Sequence, residues 1–346
     1  MNKTLVSAAA FGAVLFGCAA VGFAAAPQSV AEIANYRDAD RQSLFEEGAK
    51  KEGKVMVYTT GTQTQPIFEA LGKKYPFIRI EIFRGPTPDA TRRALEESKA
   101  GRPIVDVFDF NTGGMNALLQ LGLMQPYWSP EMAAYRDETV QPGRNWVIDY
   151  ESYLSLGYNT KALSEKDIPK TYDDLLDPKW KGKFSVSARG TTFAQWVGVL
   201  VIEKGEDFVK KLGGQQFKLH QISARALASL MVSEEVPISP TIFSAHVRND
   251  KESGAPVAWR ALGPVFANNV SMALPAKTSH PHAGLLVIDF MMSIEGQLLR
   301  QRLGYASPRK DMPAIEKPEK VYQLPERPDF ERETERWTNL VKQTFR

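Results

Sequence analysis

The sequence predicts an α/β protein built as two lobes, each a central sheet flanked by helices, with two crossings of the chain between them. One observation is the length of 346 residues, which exceeds what one ordinary hydrophobic core accommodates. Another is the alternation of short apolar runs and helical segments between Val55 and Met115, which resumes after Lys183. Two lobes joined twice enclose a cleft, and interfaces between domains are favoured sites for ligands.

The first α/β stretch reads as three strand–helix units. Its strand candidates are rich in β-branched and aromatic residues and span Val55–Tyr58, Ile78–Phe83 and Ile104–Phe110. Prolines mark the helix starts, and glycines follow the helix ends. Units of this length predict a parallel sheet with right-handed crossovers.

The ends of these three strands predict one wall of a ligand site. In parallel sheets, ligands bind outside the carboxyl ends of the strands, beside the N-termini of the following helices. The residues there are polar, small or cationic, and the predicted ligand-binding residues are Tyr58, Thr59, Thr60, Gly61, Thr62, Arg84, Asn111, Thr112 and Gly113. Tight turns after strands also require glycine and threonine, so this spacing fits a binding site and ordinary turns equally well.

The remaining chain predicts a second α/β lobe and a return to the first. Residues 145–159 read as a pair of strands or as one long bent strand. Strands and helices then alternate up to Glu252, and residues 257–262 are interpreted as the strand that crosses back. Apolar residues at helical spacing predict one long helix over 283–303, and an amphipathic helix closes the chain over 332–345.

The resulting division of the chain has four parts. We expect a leader over 1–26, the first part of lobe 1 over 27–152, lobe 2 over 153–258, and a return to lobe 1 over 259–346. The lobe that carries the C-terminal helix is left open.

The leader has the features of a secretory signal peptide. A short basic start is followed by an apolar segment over 5–23 and by three small residues, Ala24, Ala25 and Ala26. The single cysteine, Cys18, lies inside it, so the mature chain has no thiol for catalysis, disulfides or metal binding. The run Leu15–Cys18 also resembles a lipoprotein box, and lipid attachment through Cys18 is the alternative to the simple secretion that we favour.

Composition and motifs exclude several classes of function. The 43 basic and 40 acidic residues are interspersed, whereas nucleic-acid binding usually needs a clustered basic face, so we expect no nucleic-acid partner. After the leader, no apolar run approaches the ~20 residues that span a bilayer. The sequence contains no G-x-S-x-G, H-E-x-x-H, Walker or G-x-G-x-x-G motif. We therefore expect neither an enzyme nor a cofactor.

Three further segments carry a family resemblance: Leu156–Lys161, Thr171–Lys183 and His280–Gln297. They resemble bacterial periplasmic solute-binding proteins of ABC importers, in the branch that includes ferric-ion-binding proteins. The resemblance extends from about Lys54 to about Arg309 in the family's order. It implies the two-lobed type II periplasmic-binding-protein fold, located in the periplasm. It also implies capture of a small-molecule solute in the cleft and delivery to an inner-membrane permease, by a protein that we expect to be a monomer.

The same resemblance argues against direct binding of iron. In the iron-binding members, two neighbouring tyrosines of the second lobe hold ferric ion, commonly with a histidine or an acidic group from the first. The matching positions here, Thr241–Ser244, carry no phenol, and the loop Thr59–Gln63 has no histidine. We expect no metal ligands in this arrangement. Uptake of iron as a chelate, or with a bound anion that completes its coordination, is the alternative function.

Three arginines at strand ends or helix starts, Arg84, Arg189 and Arg225, favour an anionic solute with a carboxylate or phosphonate group. A guanidinium beside a helix N-terminus is a natural clamp for such a group, although an arginine at a strand end is more often solvated or bridges the lobes. The predicted ligand-binding residues of the second lobe and of the crossings are Tyr150, Arg189, Gly190, Thr191, Thr192, Arg225, Thr241, Phe243 and Asn268. His220 and His246 are isolated, and we interpret both as structural or solvated.

Overall fold

The structure is a computed structural model that describes residues 27–61, 63–314, 318, 320–322 and 329–345. The predicted leader with Cys18 lies outside these residues, as does Thr62 of the predicted site. Among the described residues, no helix combines the length and the apolar character needed to cross a membrane.

The described residues form twelve α-helices, which alternate with the strands for most of the chain. The helices are α1 Val30–Ala34, α2 Arg41–Glu52, α3 Gln65–Lys74, α4 Thr87–Lys99, α5 Thr112–Gln120, α6 Thr192–Lys204, α7 Glu206–Gly213, α8 Ala224–Val232, α9 Ser244–Glu252, α10 Pro281–Met292, α11 Ile294–Arg302 and α12 Phe330–Thr344.

The strands follow the predicted alternation closely. They are β1 Lys54–Thr59, β2 Arg79–Arg84, β3 Val107–Asn111, β4 Met124–Gln125, β5 Val147–Asn159, β6 Ser185–Ser187, β7 Lys218–His220, β8 Ile238–Phe243, β9 Val257–Arg260, β10 Val265–Pro275 and β11 Val321–Tyr322.

Nine of these strands form one sheet that runs through both lobes. Its main order is β2-β1-β3-β10-β5-β8, with β4 and β11 paired to β10 and with β9 paired to β5. Strand β1 is parallel to β2 and to β3, as the three strand–helix units predict. Strands β6 and β7 make a separate parallel pair. The predicted two-lobed α/β fold is confirmed.

Strands β5 and β10 are the two crossings. They pair antiparallel with each other, and the pairing extends from Leu154 with Phe266 to Val147 with Met272. Strand β10 also pairs with β3 in lobe 1, whereas β5 also pairs with β8 and β9 in lobe 2. The alternative of one long bent strand over 145–159 is the one observed. Its pairing with β8 shifts register between Ser155 and Gly157, where the irregularity bends the strand.

Each lobe has its own apolar core. In lobe 1, buried residues such as Phe45, Val57 and Leu286 pack together where α2 meets α10. In lobe 2, the core surrounds Trp196 of α6 and includes Trp337 of α12. A Cβ atom added to Gly198 would lie 2.5 Å from the Trp337 ring, so α12 packs closely on α6. The C-terminal helix, left open by the sequence, therefore belongs to the lobe 2 core.

Two predicted elements are wrong. The long helix over 283–303 is two helices, because Ser293 is extended (φ −65°, ψ 162°) and its hydroxyl accepts a hydrogen bond from the Gly296 N–H to cap α11. The capping side chain stops the helix although the apolar periodicity continues. The strand over 257–262 does not return to lobe 1, because β9 pairs with the lobe 2 end of β5. The chain returns in β10.

Candidate functional site

A cavity of about 220 Å³ lies between the lobes, beside the two crossing strands. Its lining residues are Thr60, Gly61, Asn111, Tyr150, Ser152, Phe243, His246, Asn268, Val270 and Tyr305. The predicted candidates among them are Thr60, Gly61, Asn111, Tyr150, Phe243 and Asn268. Ligand pockets commonly measure ~300–1,000 Å³, so this cavity suits a small solute.

The crossing strands place four side chains on one wall. Tyr150 pairs with Val270 across the ladder, and Ser152 pairs with Asn268. Residues two apart in a strand share a face, so Tyr150 and Ser152 lie on the same side of β5. The sequence prediction named Tyr150 and Asn268 but missed Ser152 and Val270. Each missed residue lies two positions after a named one, and therefore on the same face of its strand.

One helix from each lobe begins at this cavity. Helix α5 starts behind Asn111 and α9 starts behind Phe243, and both of these N-cap residues line the cavity. The first N–H groups of a helix have no partner within it and carry a partial positive charge, which makes such ends anion-binding sites. The Asn111 Oδ1 atom accepts a 3.0 Å hydrogen bond from the Gly114 N–H, whereas Phe243 gives α9 no side-chain acceptor.

Two unsatisfied polar side chains face the same space. Ser152 is 4% exposed, and its hydroxyl has no hydrogen-bond partner among the described residues. The Nδ1 atom of His246 is also buried without a partner. Burial and the nearby charge of Arg225 lower the pKa of His246 to about 3, so the imidazole is neutral at physiological pH. A buried polar group without a hydrogen-bond partner costs free energy, and a bound solute would recover it by bonding to either side chain.

His246, which the sequence suggests is structural or solvated, packs its ring edge-on against Phe243 and also lines the cavity. It lies three residues after Phe243, one helical turn into α9, and so reaches the same cavity. That spacing was visible in the sequence once Phe243 was a candidate. Tyr305 follows α11 and has no pattern in the sequence that connects it with the cleft.

Tyr150 and Tyr305 form an aromatic wall. Their ring centroids are 4.1 Å apart at an interplanar angle of 38°. Burial raises the pKa of both phenols, so both hydroxyls stay protonated and act as neutral hydrogen-bonding groups. The guanidinium carbon of Arg300 lies 4.4 Å from the centroid of the Tyr150 ring.

Behind this wall lies a buried charge cluster, which we define as Asp109, Asp149 and Arg300. Each is at most 1% exposed. The Nη2 atom of Arg300 donates to the Asp149 carboxylate, and the Thr59 hydroxyl donates to Asp109 at 2.6 Å. Burial raises the pKa of Asp109, and it raises the pKa of Asp149 to about 7 against the opposing charge of Arg300.

Two predicted residues support the wall from behind instead of lining it. Thr59 is buried, and its hydroxyl accepts a 2.9 Å hydrogen bond from the Gly61 N–H while donating to Asp109. Thr112 is buried at the start of α5. Gly113 lines a different feature, a groove of about 990 Å³ between α4, α5 and the start of α12 that meets the cavity at Asn111.

Three predicted residues are engaged elsewhere. The Tyr58 hydroxyl donates to Glu97 at 2.6 Å from within the lobe 1 core, because the strand turns this side chain to the opposite face. The buried Thr241 hydroxyl accepts a hydrogen bond from the Ser187 N–H at 3.3 Å. Arg225 binds both carboxylate oxygens of Asp250, at 2.7 and 2.8 Å. None of the three lines the cavity, so the structure does not bring these predicted residues to it.

The remaining candidates lie at the surface. Arg84, Arg189, Gly190 and Thr191 are exposed, and Thr192 begins α6 half-buried. Among the described residues, the side chains of Arg84 and Arg189 have no hydrogen-bond or ion-pair partner, and neither residue lines the cavity. The cavity is thus bordered by two helix N-termini and by none of the predicted arginines.

No carboxylate, cysteine or additional histidine accompanies His246 in the cavity wall. Across the described ranges, no group of three or more histidine, cysteine, aspartate or glutamate side chains is arranged to hold a metal ion. The polar groups that line the cavity are amides, hydroxyls, phenols and one imidazole, and helices α5 and α9 begin beside them.

Residues 102–334 match the family model described as bacterial extracellular solute-binding protein. A curated relative, the Fe(3+)-binding periplasmic protein of Serratia marcescens, is 25% identical over 130 residues, which are 37% of this chain and 38% of that protein. The chain spans about half the length, or less, of the curated relatives that it matches.

Solved structures resemble the chain over most of its length. The iron-bound HitA of Pseudomonas aeruginosa has a TM-score of 0.68 at 20% identity, with 84% of this chain and 99% of that chain covered. The substrate binding protein of an ABC transporter from Agrobacterium tumefaciens has a TM-score of 0.70 at 15% identity, with 83% and 94% covered. At these identities the likeness shows a shared fold.

Proposed function

The chain belongs to the bacterial extracellular solute-binding proteins, and from that premise we propose that it captures a small anionic solute for an ABC importer. The solute carries a carboxylate or a phosphonate group. One observation carries this proposal: the N-termini of α5 and α9, one from each lobe, meet at a single cavity of about 220 Å³. The family is one of solute-binding proteins and not of enzymes.

Binding to both helix ends explains how capture closes the clamp. An anion that accepts N–H groups of α9 while it contacts the Asn111 end of α5 joins the lobes directly. Ser152 and Asn268 on the crossing strands add a hydroxyl and an amide, and Phe243 supplies an apolar edge. A micromolar solute provides about 8 kcal/mol at standard state, so the open and closed forms differ by a few kcal/mol.

The wider assignment follows the same premise. We propose that the leader over 1–26 directs the chain to the periplasm and that the closed monomer delivers its solute to an inner-membrane permease. The chain passes between the lobes in β5 and β10, and we propose that these two strands form the hinge. Turnover of a bound solute by the purified protein would contradict a purely transport role.

A thermal-shift screen of the purified mature chain tests the solute class. Ligands that bind the native state raise the apparent stability. We expect small carboxylates, phosphonates and sulfonates to raise the melting temperature and polyamines and thiamine to leave it unchanged. Stabilisation by polyamines alone would show that the cavity selects cations and would overturn the proposal.

Iron carried as a chelate is the second candidate. It is favoured by the iron named in the descriptions of HitA and of the Serratia relative, and by helix ends that suit the carboxylates of a chelator. Titration with ferric citrate, with citrate alone as the control, separates the two functions. A charge-transfer band and a tighter complex with the ferric form would identify the chelate as the solute.

A further inference from the structure

The buried charge cluster contains two carboxylates and one guanidinium. Arg300 on α11 donates to Asp149, and the Oδ1 atom of Asp109 and the Nε and Nη1 atoms of Arg300 have no hydrogen-bond partner among the described residues. When both carboxylates are ionised, the cluster carries one net negative charge. When either is protonated, the cluster is neutral.

Two contacts connect this cluster with the cavity wall. On one side, Asp109 accepts from the Thr59 hydroxyl, which in turn accepts from the N–H of the cavity residue Gly61. On the other side, the Arg300 guanidinium lies against the Tyr150 ring, and Tyr150 lines the cavity. A charge in the cavity is thus separated from the cluster only by the Tyr150 ring on one side and by the turn from Thr59 to Gly61 on the other.

We propose that the buried charge cluster exchanges a proton with solvent when the solute binds, taking one up for an anion, and thereby determines the charge that the cleft accepts. This inference rests on the proposed function. Charges interact strongly in a poorly hydrated interior, so an anion placed beside an ionised Asp109 is repelled unless a carboxylate becomes neutral. A cation favours the ionised cluster and releases a proton.

The surroundings support a labile proton at this position. Burial raises the pKa of both carboxyls, and that of Asp149 lies at about 7. The titratable and charged groups that face Asp149 and Asp109 from the packed elements are Arg300 of α11, Tyr150 of β5, Tyr305 after α11, and Tyr127 and Tyr135 of the connection between β4 and β5. Burial keeps these phenols neutral, so Arg300 is the cation that acts on both carboxylates.

Calorimetry on the mature wild-type chain measures the exchange directly. The probes are sulfate, methanesulfonate and succinate, chosen because their own ionisation changes little from about pH 6.5 to about pH 8. Titration at about pH 7 in two buffers of different ionisation enthalpy gives the number of protons exchanged. We expect uptake of part of one proton and an affinity that falls by up to about tenfold per pH unit.

Matched variants assign the proton to the cluster. Asp149→Asn fixes the neutral state, so we expect it to abolish the uptake and to bind sulfate at about pH 8 as tightly as the wild type does at about pH 6.5. Asp289→Asn is the control, because Asp289 is a largely buried carboxylate that pairs with Arg41 away from the cavity and has a pKa raised by burial. It should keep the wild-type uptake. If Asp149→Asn does not fold, Asp109→Asn replaces it with the same expectation.

The outcomes separate this inference from the proposed function. If any probe binds without proton exchange, the inference is wrong, and the proposal of an anionic solute is still supported. Uptake that persists in both Asp149→Asn and Asp109→Asn also overturns it. If none of the probes binds at any pH, the anionic solute itself is wrong, and the inference fails together with it.

Discussion

The two helices that begin at the cavity are built differently. Helix α5 has an asparagine cap whose side chain already accepts the Gly114 N–H, so part of its N-terminus is satisfied by the protein. Helix α9 begins behind Phe243, which has no acceptor. Among the described α-helices, only α1, α5, α8 and α11 have a side-chain cap, and α9 shares its uncapped start with the other α-helices.

This difference indicates how the lobes divide their roles. The Asn111 side chain satisfies one N–H group of α5 without a solute, whereas α9 has no side-chain cap and the Nδ1 atom of His246 has no partner among the described residues. We infer that lobe 1 presents a preformed surface and that lobe 2 provides most of the binding free energy.

Supplying the missing cap should have the largest effect. In Phe243→Asp the carboxylate accepts the first N–H groups of α9 and occupies the place of the anion. We expect sulfate affinity to fall about 100-fold, since hydrogen bonds to a charged group contribute about 1.5–3 kcal/mol. The free energy of unfolding should rise by about 1 kcal/mol from the new cap. Calorimetry and urea unfolding measure the two quantities.

Phe243→Leu is the control for this variant. It keeps an apolar edge without an acceptor, so its affinity should stay within about threefold of the wild type. If Phe243→Asp binds sulfate as tightly as Phe243→Leu does, the end of α9 is not the anion site.

Removing the unpartnered hydroxyl of Ser152 should have the next largest effect. Ser152→Ala should bind about tenfold more weakly, because it loses one hydrogen bond of about 1 kcal/mol to the solute. Its stability should be unchanged or slightly higher, because the variant removes an unsatisfied buried polar atom.

A second serine of the same strand provides the matched control. Ser155 is equally buried, but its hydroxyl accepts a 3.1 Å hydrogen bond from the Leu262 N–H. Ser155→Ala should therefore lose about 1 kcal/mol of stability and keep its affinity. A loss of stability in Ser152→Ala would show that its hydroxyl has a structural role.

Removing the cap of α5 should affect stability more than binding. Asn111→Ala should lower the free energy of unfolding by about 1 kcal/mol and weaken sulfate binding only about threefold. Ser223→Ala removes the same kind of cap from α8, outside the cavity. It should lower the free energy of unfolding by the same amount and leave the sulfate affinity unchanged. A large loss of affinity in Asn111→Ala would mean that both helix ends bind the solute equally.

The sequence predicted the parts of the fold that depend on local pattern. Apolar runs separated by turn residues gave the strands of the first three units, and the turns at their ends supplied Thr60, Gly61 and Asn111 of the cavity. Both faces of a strand inside a parallel sheet are apolar. The sequence pattern therefore does not show whether Tyr58 of β1 points into the lobe 1 core or toward the cavity.

Long-range pairing decided the rest. Arg225 is held by Asp250, whose position depends on the packing of α8 against α9, and no local pattern reveals that ion pair. The buried charge cluster joins β3, β5 and α11, which lie far apart in the chain. Tyr305 reaches the cavity only because α11 brings it beside Tyr150.

Arg189 is the candidate for which the smallest effect is expected. The sequence makes Arg189 a candidate for contact with an anionic solute, but its side chain is exposed, has no partner among the described residues and lies outside the cavity. We now expect an affinity within about twofold of the wild type and a change in stability below about 0.5 kcal/mol. Arg189→Glu should reduce only the association rate, and only at low salt, because the surface charge steers an anion without touching it. A tenfold loss of affinity in Arg189→Ala at high salt would mean that a guanidinium of lobe 2 contacts the solute, and the bare end of α9 would then share its role with a side chain.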